Sequence, residues 1–316
     1  MFASHHDAFI VLTLYNCFIK KIIRKMKRIF ILFIFIYTNA FSQKSEIGAF
    51  AGVTNYLGDL SPVAFAPSET KWSAGLVYKY NQSWNFTIRG AITQGIISGS
   101  DARNNAGEPF RIRRNLSFRN YITEASVMEE WNIWGYRGER YERRFTPYVE
   151  LGLAVFHFNP QALYNGEWIN LQGLGTEGQG LPSHKERVPY RLTQISIPMG
   201  VGVKLRVGEH WNITADCALR KTFTDYLDDV SKTYADRTEM YARHGQIGLD
   251  LMDRSHEVVT DSTKLYFPKQ QMRGDPSKKD WYFFPGITIT YTMKHSELWM
   301  KRHGLNPDEC PTLRGK

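Results

Sequence analysis

Eight segments in which apolar and polar residues alternate run along this chain, over 46–56, 72–80, 84–97, 118–132, 146–158, 191–207, 211–223 and 281–293. Successive side chains of an extended strand point to opposite faces, so each segment presents one apolar and one polar face. In the last segment Phe283, Pro285, Ile287, Ile289, Tyr291 and Met293 share a face, and Phe284, Gly286, Thr288, Thr290 and Thr292 share the other. The sixth sets Ile195, Ile197, Met199, Val201, Val203 and Leu205 against Gln194, Ser196, Pro198, Gly200, Gly202 and Lys204. The seventh sets Trp211, Ile213, Ala215, Cys217 and Leu219 against Asn212, Thr214, Asp216, Ala218 and Arg220. The fourth has the weakest pattern, because Glu124, Glu129 and Glu130 fall on both faces.

Ahead of these segments Met26-Lys27-Arg28 leads into the apolar run 29–37, and Ala40-Phe41-Ser42 precedes Gln43. A basic start, a short apolar stretch and a small-residue cleavage site make a secretory signal. The run falls well short of the ~20 residues of a transmembrane helix. Residues 1–25 are therefore expected to be an upstream extension with Met26 the true start, and 26–42 a signal peptide removed near Ser42/Gln43. An exported chain of alternating strands can cross a membrane only as a closed barrel, since an unpaired backbone group in lipid costs several kcal/mol. The expected fold is all-β: an eight-stranded antiparallel transmembrane β-barrel with long extracellular loops, over 43–293, in the cell outer membrane.

An eight-stranded barrel is just wide enough to be filled by its own side chains. Lys79, Arg89, Glu150, Lys204, Asp216 and Arg220 fall on inward faces, which predicts a plugged interior carrying both signs of charge. The net charge of +9 is concentrated in the leader, where Lys20, Lys21, Arg24, Lys25, Lys27 and Arg28 stand against Asp7. The rest holds 34 basic and 30 acidic residues, a balance that gives no reason to expect nucleic acid as a partner. The 17 Tyr, 19 Phe and 8 Trp suit aromatic girdles at two membrane interfaces. Cys17 lies in the leader, Cys217 on an apolar strand face and Cys310 beyond the last segment, so no structural disulfide is expected. No metal-ligand spacing occurs, and neither metal nor cofactor is expected.

Connections 81–83 and 208–210 are tight, 133–145 is intermediate, and 57–71, 98–117, 159–190 and 224–280 are long. Outer-membrane barrels keep short turns on the periplasmic side, which places both barrel ends and a tail over 294–316 in the periplasm. The loop 224–280 carries Tyr226, Tyr234, Tyr241, Leu249 and Leu251, with a short helix expected over 235–243. Gly173-Leu174-Gly175-Thr176-Glu177-Gly178 matches the dinucleotide fingerprint in letters but lacks its flanking strand and helix, so it reads as a constrained turn. Asp225, Asp228 and Asp229 lack EF-hand spacing and read as a loop charge cluster or helix-start cap. His157, His184, His210, His244, His256, His295 and His303 are scattered, with no Ser and acid at catalytic spacing. In the 133–145 turn, Trp134, Tyr136, Arg137, Arg140 and Tyr141 join the aromatic and Arg residues that interfaces favour, and this turn and the tail are the expected partner contacts.

Several stretches together resemble the PorG family, the outer-membrane barrel of the type IX secretion system. They are Tyr56-Leu57-Gly58-Asp59-Leu60, Phe158-Asn159-Pro160, Gly166-Glu167-Trp168 and Gly175-Thr176-Glu177-Gly178-Gln179. Gln194-Ile195-Ser196-Ile197-Pro198 with Gly200 follows, then Thr224-Asp225-Tyr226-Leu227-Asp228-Asp229-Val230-Ser231, Arg273-Gly274 and Asp280-Trp281-Tyr282. The resemblance covers 45–293, and the Asp-Tyr-Leu-Asp-Asp-Val stretch is its most specific part. It implies an envelope component of a secretion machine, linked to gliding motility, rather than an enzyme. It also implies contact with a periplasmic lipoprotein and a ring-forming protein, and carries no catalytic residue. The alternatives are a barrel enzyme acting on lipid or peptide, and a small passive channel.

Overall fold

The computed structural model describes residues 45–61, 66–104, 107–136, 143–208, 210–260 and 266–293. The chain divides into two compact units, 1–43 and 44–316, and every described residue belongs to the second. The expected leader and its cleavage site, the 294–316 tail, Cys17, Cys310, Arg137, Arg140 and Tyr141 lie outside the described residues.

Eight long strands follow the alternating segments: β1 (Ser45–Leu57), β2 (Lys71–Asn81), β3 (Phe86–Ser100), β4 (Ser117–Asn132), β5 (Phe145–His157), β8 (Thr193–Val207), β9 (Trp211–Thr222) and β10 (Trp281–Met293). A short hairpin of β6 (Pro160–Tyr164) and β7 (Glu167–Asn170) lies between β5 and β8. The eight pair antiparallel in sequence order, and β1 closes on β10 from Ser45↔Met293 to Leu57↔Trp281. The result is a closed eight-stranded antiparallel barrel, which leaves no open edge in its wall. The hairpin joins only the upper part of β4, through Arg119↔Gln161 and Asn120↔Pro160.

Alternation sorts the side chains as the period requires. Leu76, Ile92, Val127, Leu153, Val201 and Ile287 are exposed on the outer wall, while Glu46, Lys79, Arg89, Glu124, Glu130 and Asp216 are buried inside. β4 resolves its three glutamates by parity: Glu124 and Glu130 point in, and Glu129 points out three residues from the strand's turn end. A charge so near the interface costs far less than one at the bilayer midplane. Trp84, Trp131, Trp134, Phe145 and Trp211 are exposed at the turn end, and Trp72, Tyr121 and Phe223 at the loop end. Tyr121 and Trp131 lie ten residues apart on β4. That is ~33 Å of strand, or ~25 Å of membrane at a ~40° tilt, the height of an outer-membrane apolar band. No described helix is long and apolar enough to cross a membrane, so the crossing is made by strands.

The upper lumen is mostly apolar and encloses the Arg220–Glu124 pair. Phe50, Tyr56, Ile97, Phe118, Ile122, Phe156, Phe158 and Phe284 form one core with Leu227 and Val230 from the loop above. Phe50 fits because its neighbours lack side chains: a Cβ on Gly286 would come within 2.5 Å of the ring, and one on Gly52 within 2.8 Å.

The loop end is built up rather than bare. It carries α1 (Asp101–Asn104), α2 (Pro109–Arg114) and α3 (Arg237–Met252). The helix expected over 235–243 starts at Arg237 and runs on to Met252, with a break at Gly245, where φ is 66°. Its N-cap is Asp236, whose side chain accepts from the Thr238 and Glu239 amides. Met240, Leu249 and Met252 pack with Leu181, Tyr234 and Phe267, which anchors a helix whose own pattern is weak.

Candidate functional site

Strand ladders use up the backbone amides of the wall, so a carboxylate inside the barrel is met by side chains, while Arg220 also reaches a strand carbonyl, that of Ala218, at 2.6 Å. Glu130 takes Lys79 at 3.0 Å and Lys204 at 2.5 Å. Arg89 bridges Glu150 and Asp216, each at 3.2 Å. Higher up, Arg220 meets Glu124 at 3.2 Å, and Tyr282 donates to the same carboxylate at 2.7 Å. All six inward charges read from the sequence are buried, and all join these pairs. At the base, Asn212 donates to Glu46 at 3.0 Å and Tyr136 donates to Asn212 at 2.6 Å.

At the loop end the chain offers free backbone amides, and buried carboxylates collect them. Glu177 accepts from the amides of Ser231 at 2.8 Å and Lys232 at 2.9 Å. Asp280 accepts from the Leu227 amide at 2.9 Å, and Asp228 from the Val230 amide at 2.9 Å. Asp59 accepts from the Asp275 amide at 3.0 Å. Tyr56, at the top of β1, ties this layer to the barrel. Its hydroxyl lies 2.6 Å from Asp228 Oδ2 and 3.1 Å from Asp280 Oδ1. Gly58 must be bare here, since a Cβ would stand 2.0 Å from the Tyr56 hydroxyl and 2.1 Å from Asp280.

Two arginines cross the cap. Arg273 donates to the Asp229 carbonyl and to Met252 O at 3.2 Å, and pairs with Glu177 at 3.4 Å. Arg114 grips Asp101 with two bonds of 2.7 Å and donates to Arg273 O at 2.5 Å. Asp229 accepts from the Thr176 hydroxyl and from Tyr190 at 2.7 Å. Tyr190 in turn stacks on Tyr226, with centroids 4.6 Å apart. Asp225 accepts from the Ser231 hydroxyl at 2.7 Å. Burial pushes the Asp229 carboxyl up to about 6 and the Asp225 carboxyl up to about 6. Burial, then the charge of Asp59, lifts Asp228 well above the usual carboxylate range; burial, then Asp228, does the same to Asp280.

The structure thus brings together in the cap the motif residues Gly58, Asp59, Glu177, Gly178, Gln179, Asp225, Tyr226, Asp228 and Asp229, while Gly166-Glu167-Trp168 lies at the β6–β7 hairpin and 194–200 on β8. Gly178, at φ 85°, makes a turn, and Gln179 accepts from the Glu177 amide at 3.0 Å, so the glycine-rich segment is a constrained turn as its context indicated. Asp225, Asp228 and Asp229 cap no helix: that half of their reading is corrected, because the capping role falls to Asp236. Sequence reasoning missed Arg114 and Asp101 as members of the network, and had Tyr56 and Arg273 only as letters of the resemblance. No local pattern marks these pairings, since partners lie up to 224 residues away.

At the turn end Trp134 is exposed and packs on Phe145 at 5.7 Å. Tyr136, expected on the same surface, is corrected: it is buried, donating to Asn212 and lying 5.6 Å from Lys204. Among the described residues no group of three or more His, Cys, Asp or Glu has metal-holding geometry. Ser255, fully buried, donates to Asp253 at 2.6 Å.

Solved structures similar to the chain include Ail, the attachment invasion locus protein of Yersinia pestis, at a TM-score of 0.38 and 9% identity over 80% of this chain and 100% of that one. Neisserial surface protein A is similar at 0.36 and 9% over 79% and 97%. The N-terminal β-barrel domain of Pseudomonas aeruginosa OprF is similar at 0.33 and 9% over 80% and 98%. Scores this low carry no argument, and the outer-membrane type of barrel rests on the closed ladders, apolar wall and polar lumen above. No curated relative matches the sequence. A family match runs from residue 24 through β1 to β9 and into α3, and the chain belongs to that family, described as domain of unknown function DUF6089, over residues 24–250.

Proposed function

We propose that the chain is the outer-membrane barrel of a protein secretion machine of the type IX kind, tethering a periplasmic lipoprotein and a ring-forming protein to the membrane. The observation that carries this reading is the place of the residues resembling the PorG family. They interlock four loops into one buried cap on the barrel, where Glu177, Asp228, Asp229 and Asp280 are occupied by amides, hydroxyls and Arg273. Residues so occupied support a scaffold rather than a catalyst. The partner-facing surface is then the turn end, where Trp134, Arg143 and Arg144 are exposed.

Tagged protein drawn from detergent-solubilised outer membrane, with partners identified by mass spectrometry, tests the reading. Recovery of a lipoprotein and a ring-forming protein in stoichiometric amount is expected; recovery of the barrel alone would overturn it. A small channel is the second reading, favoured by mid-lumen atoms buried without a hydrogen-bond partner: Arg89 Nε, Ser126 Oγ, Tyr148 OH, Asp216 Oδ1 and Thr288 Oγ1. Such atoms call for water in the lumen. Steady single-channel conductance in planar bilayers would favour the channel over the scaffold.

A further inference from the structure

The outer wall carries a basic group that no described carboxylate pairs with. Arg119 lies on the outward face of β4, two residues beyond Tyr121 at the loop-end aromatic level. Its Nε donates to Gln161 Oε1 at 3.1 Å, and Gln161 Nε2 donates to Asn170 Oδ1 at 2.8 Å. The guanidinium lies over the Trp168 ring at 3.7 Å and the Tyr121 ring at 5.3 Å. Glu69, near Ser98 on the strand beside Arg119, is occupied by Arg103 and the Ser98 hydroxyl. Among the described residues the two terminal nitrogens of Arg119 have no hydrogen-bond or carboxylate partner.

The β6–β7 hairpin explains why this matters. One of its faces is taken: Ala162 and Ile169 pack with Leu251 and Ile247 of α3, and Tyr164 donates to Asp250 at 3.0 Å. The other face bears Gln161, Leu163, Trp168 and Asn170, with Leu163 and Trp168 exposed. That face continues the lipid-facing wall of β4 upward from Tyr121. It forms a cationic point ringed by apolar groups, at the depth where headgroups meet acyl chains.

We propose that Arg119, held by Gln161, Trp168 and Tyr121, binds the phosphate of a membrane lipid headgroup, with the acyl chains lying on Leu163 and the β4 wall. A planar guanidinium stacked on aromatic rings is fixed in direction, and its open edge matches two phosphate oxygens. Water is scarce at this depth, which strengthens the pairing.

The test uses the full folded chain, stripped of lipid in mild detergent and offered phosphatidylglycerol or phosphatidylcholine with identical acyl chains, bound lipid being read by native mass spectrometry. Retention of the anionic lipid should exceed that of the zwitterionic one about fivefold, the ~1 kcal/mol that one basic group supplies at an anionic surface. Arg119→Gln should abolish the preference and Arg119→Lys should keep part of it. Trp168→Ala, which removes the ring that holds the guanidinium, should lower the preference for the anionic lipid, and Arg254→Gln, on a loop and paired with Glu257, should change nothing. Heat-modifiable gel migration checks that each variant is folded. A folded Arg119→Gln variant with the wild-type preference would overturn the site. Displacement of the lipid by millimolar inorganic phosphate would overturn its assignment to a lipid.

Discussion

The lumen and the loop-end cap both bury many charges, yet they satisfy them differently. In the lumen Glu130 is met by Lys79 and Lys204, and Glu150 and Asp216 by Arg89; these acids meet bases across the barrel. In the cap Glu177, Asp59 and Asp280 are met chiefly by backbone amides of distant loops. The cause is supply. A barrel wall spends its amides on the ladders, whereas loops have amides to give. The lumen is therefore held by charge balance, and the cap by loop conformation.

Breaking a lumen pair should have the largest effect. Glu130→Ala leaves two buried lysines without a counter-charge and should cost ~3–5 kcal/mol, read as a shift in urea-induced unfolding of the barrel in lipid. A loss well below that would show that water, not Glu130, carries the lysines. Arg273→Ala should cost ~3 kcal/mol, but at the cap alone. Hydrogen exchange should rise over 224–280 while β1 to β5 stay protected; a uniform rise would erase the distinction between the two regions.

The third effect is a pH dependence. Asp229 has its folded value raised to about 6, so its contribution is full at pH below the ordinary ~4 and is lost as pH rises through 6. Asp225 acts in the same direction. Exchange over 224–280, corrected for intrinsic rate, should be slower at pH 5 than at pH 7.5, by ~2–3 kcal/mol of local opening energy. Asp229→Asn should remove about half of this dependence, Asp225 keeping the rest, and an unchanged slope would remove Asp229 as a source. The smallest effect belongs to Tyr136→Phe, which loses one hydrogen bond to Asn212 and should cost ~1 kcal/mol with the barrel intact. A larger loss would make Tyr136 part of the lumen's charge balance.

The same contrast decides what was legible in the sequence. Period-two alternation is a local signal, so β10 (Trp281–Met293) matches its expected bounds and every inward charge stands where parity puts it. The β6–β7 hairpin was missed inside a segment read as loop, although Asn165-Gly166 is a strong hairpin signal and both residues take positive φ, 49° and 87°. Pro160 and a strand of only four residues hid it. The cap was legible only as a string of motif residues. Its geometry depends on Tyr56 reaching Asp228 and on Arg114 reaching Arg273, and such pairings leave no trace in spacing. Tyr136 was misplaced because an aromatic in a turn reads as surface, while the lumen offers it Asn212 and Lys204.

Partner capture by two variants decides between the turn end and the cap as the working surface. Tagged Trp134→Ala, altered at the turn end, and tagged Asp225→Asn, altered in the cap, are drawn from solubilised outer membrane beside the wild type. If the turn end is the partner surface, the lipoprotein and the ring-forming protein are lost with Trp134→Ala and kept with Asp225→Asn. Loss with Asp225→Asn and retention with Trp134→Ala would contradict that assignment, and would make the loop-end cap the working surface.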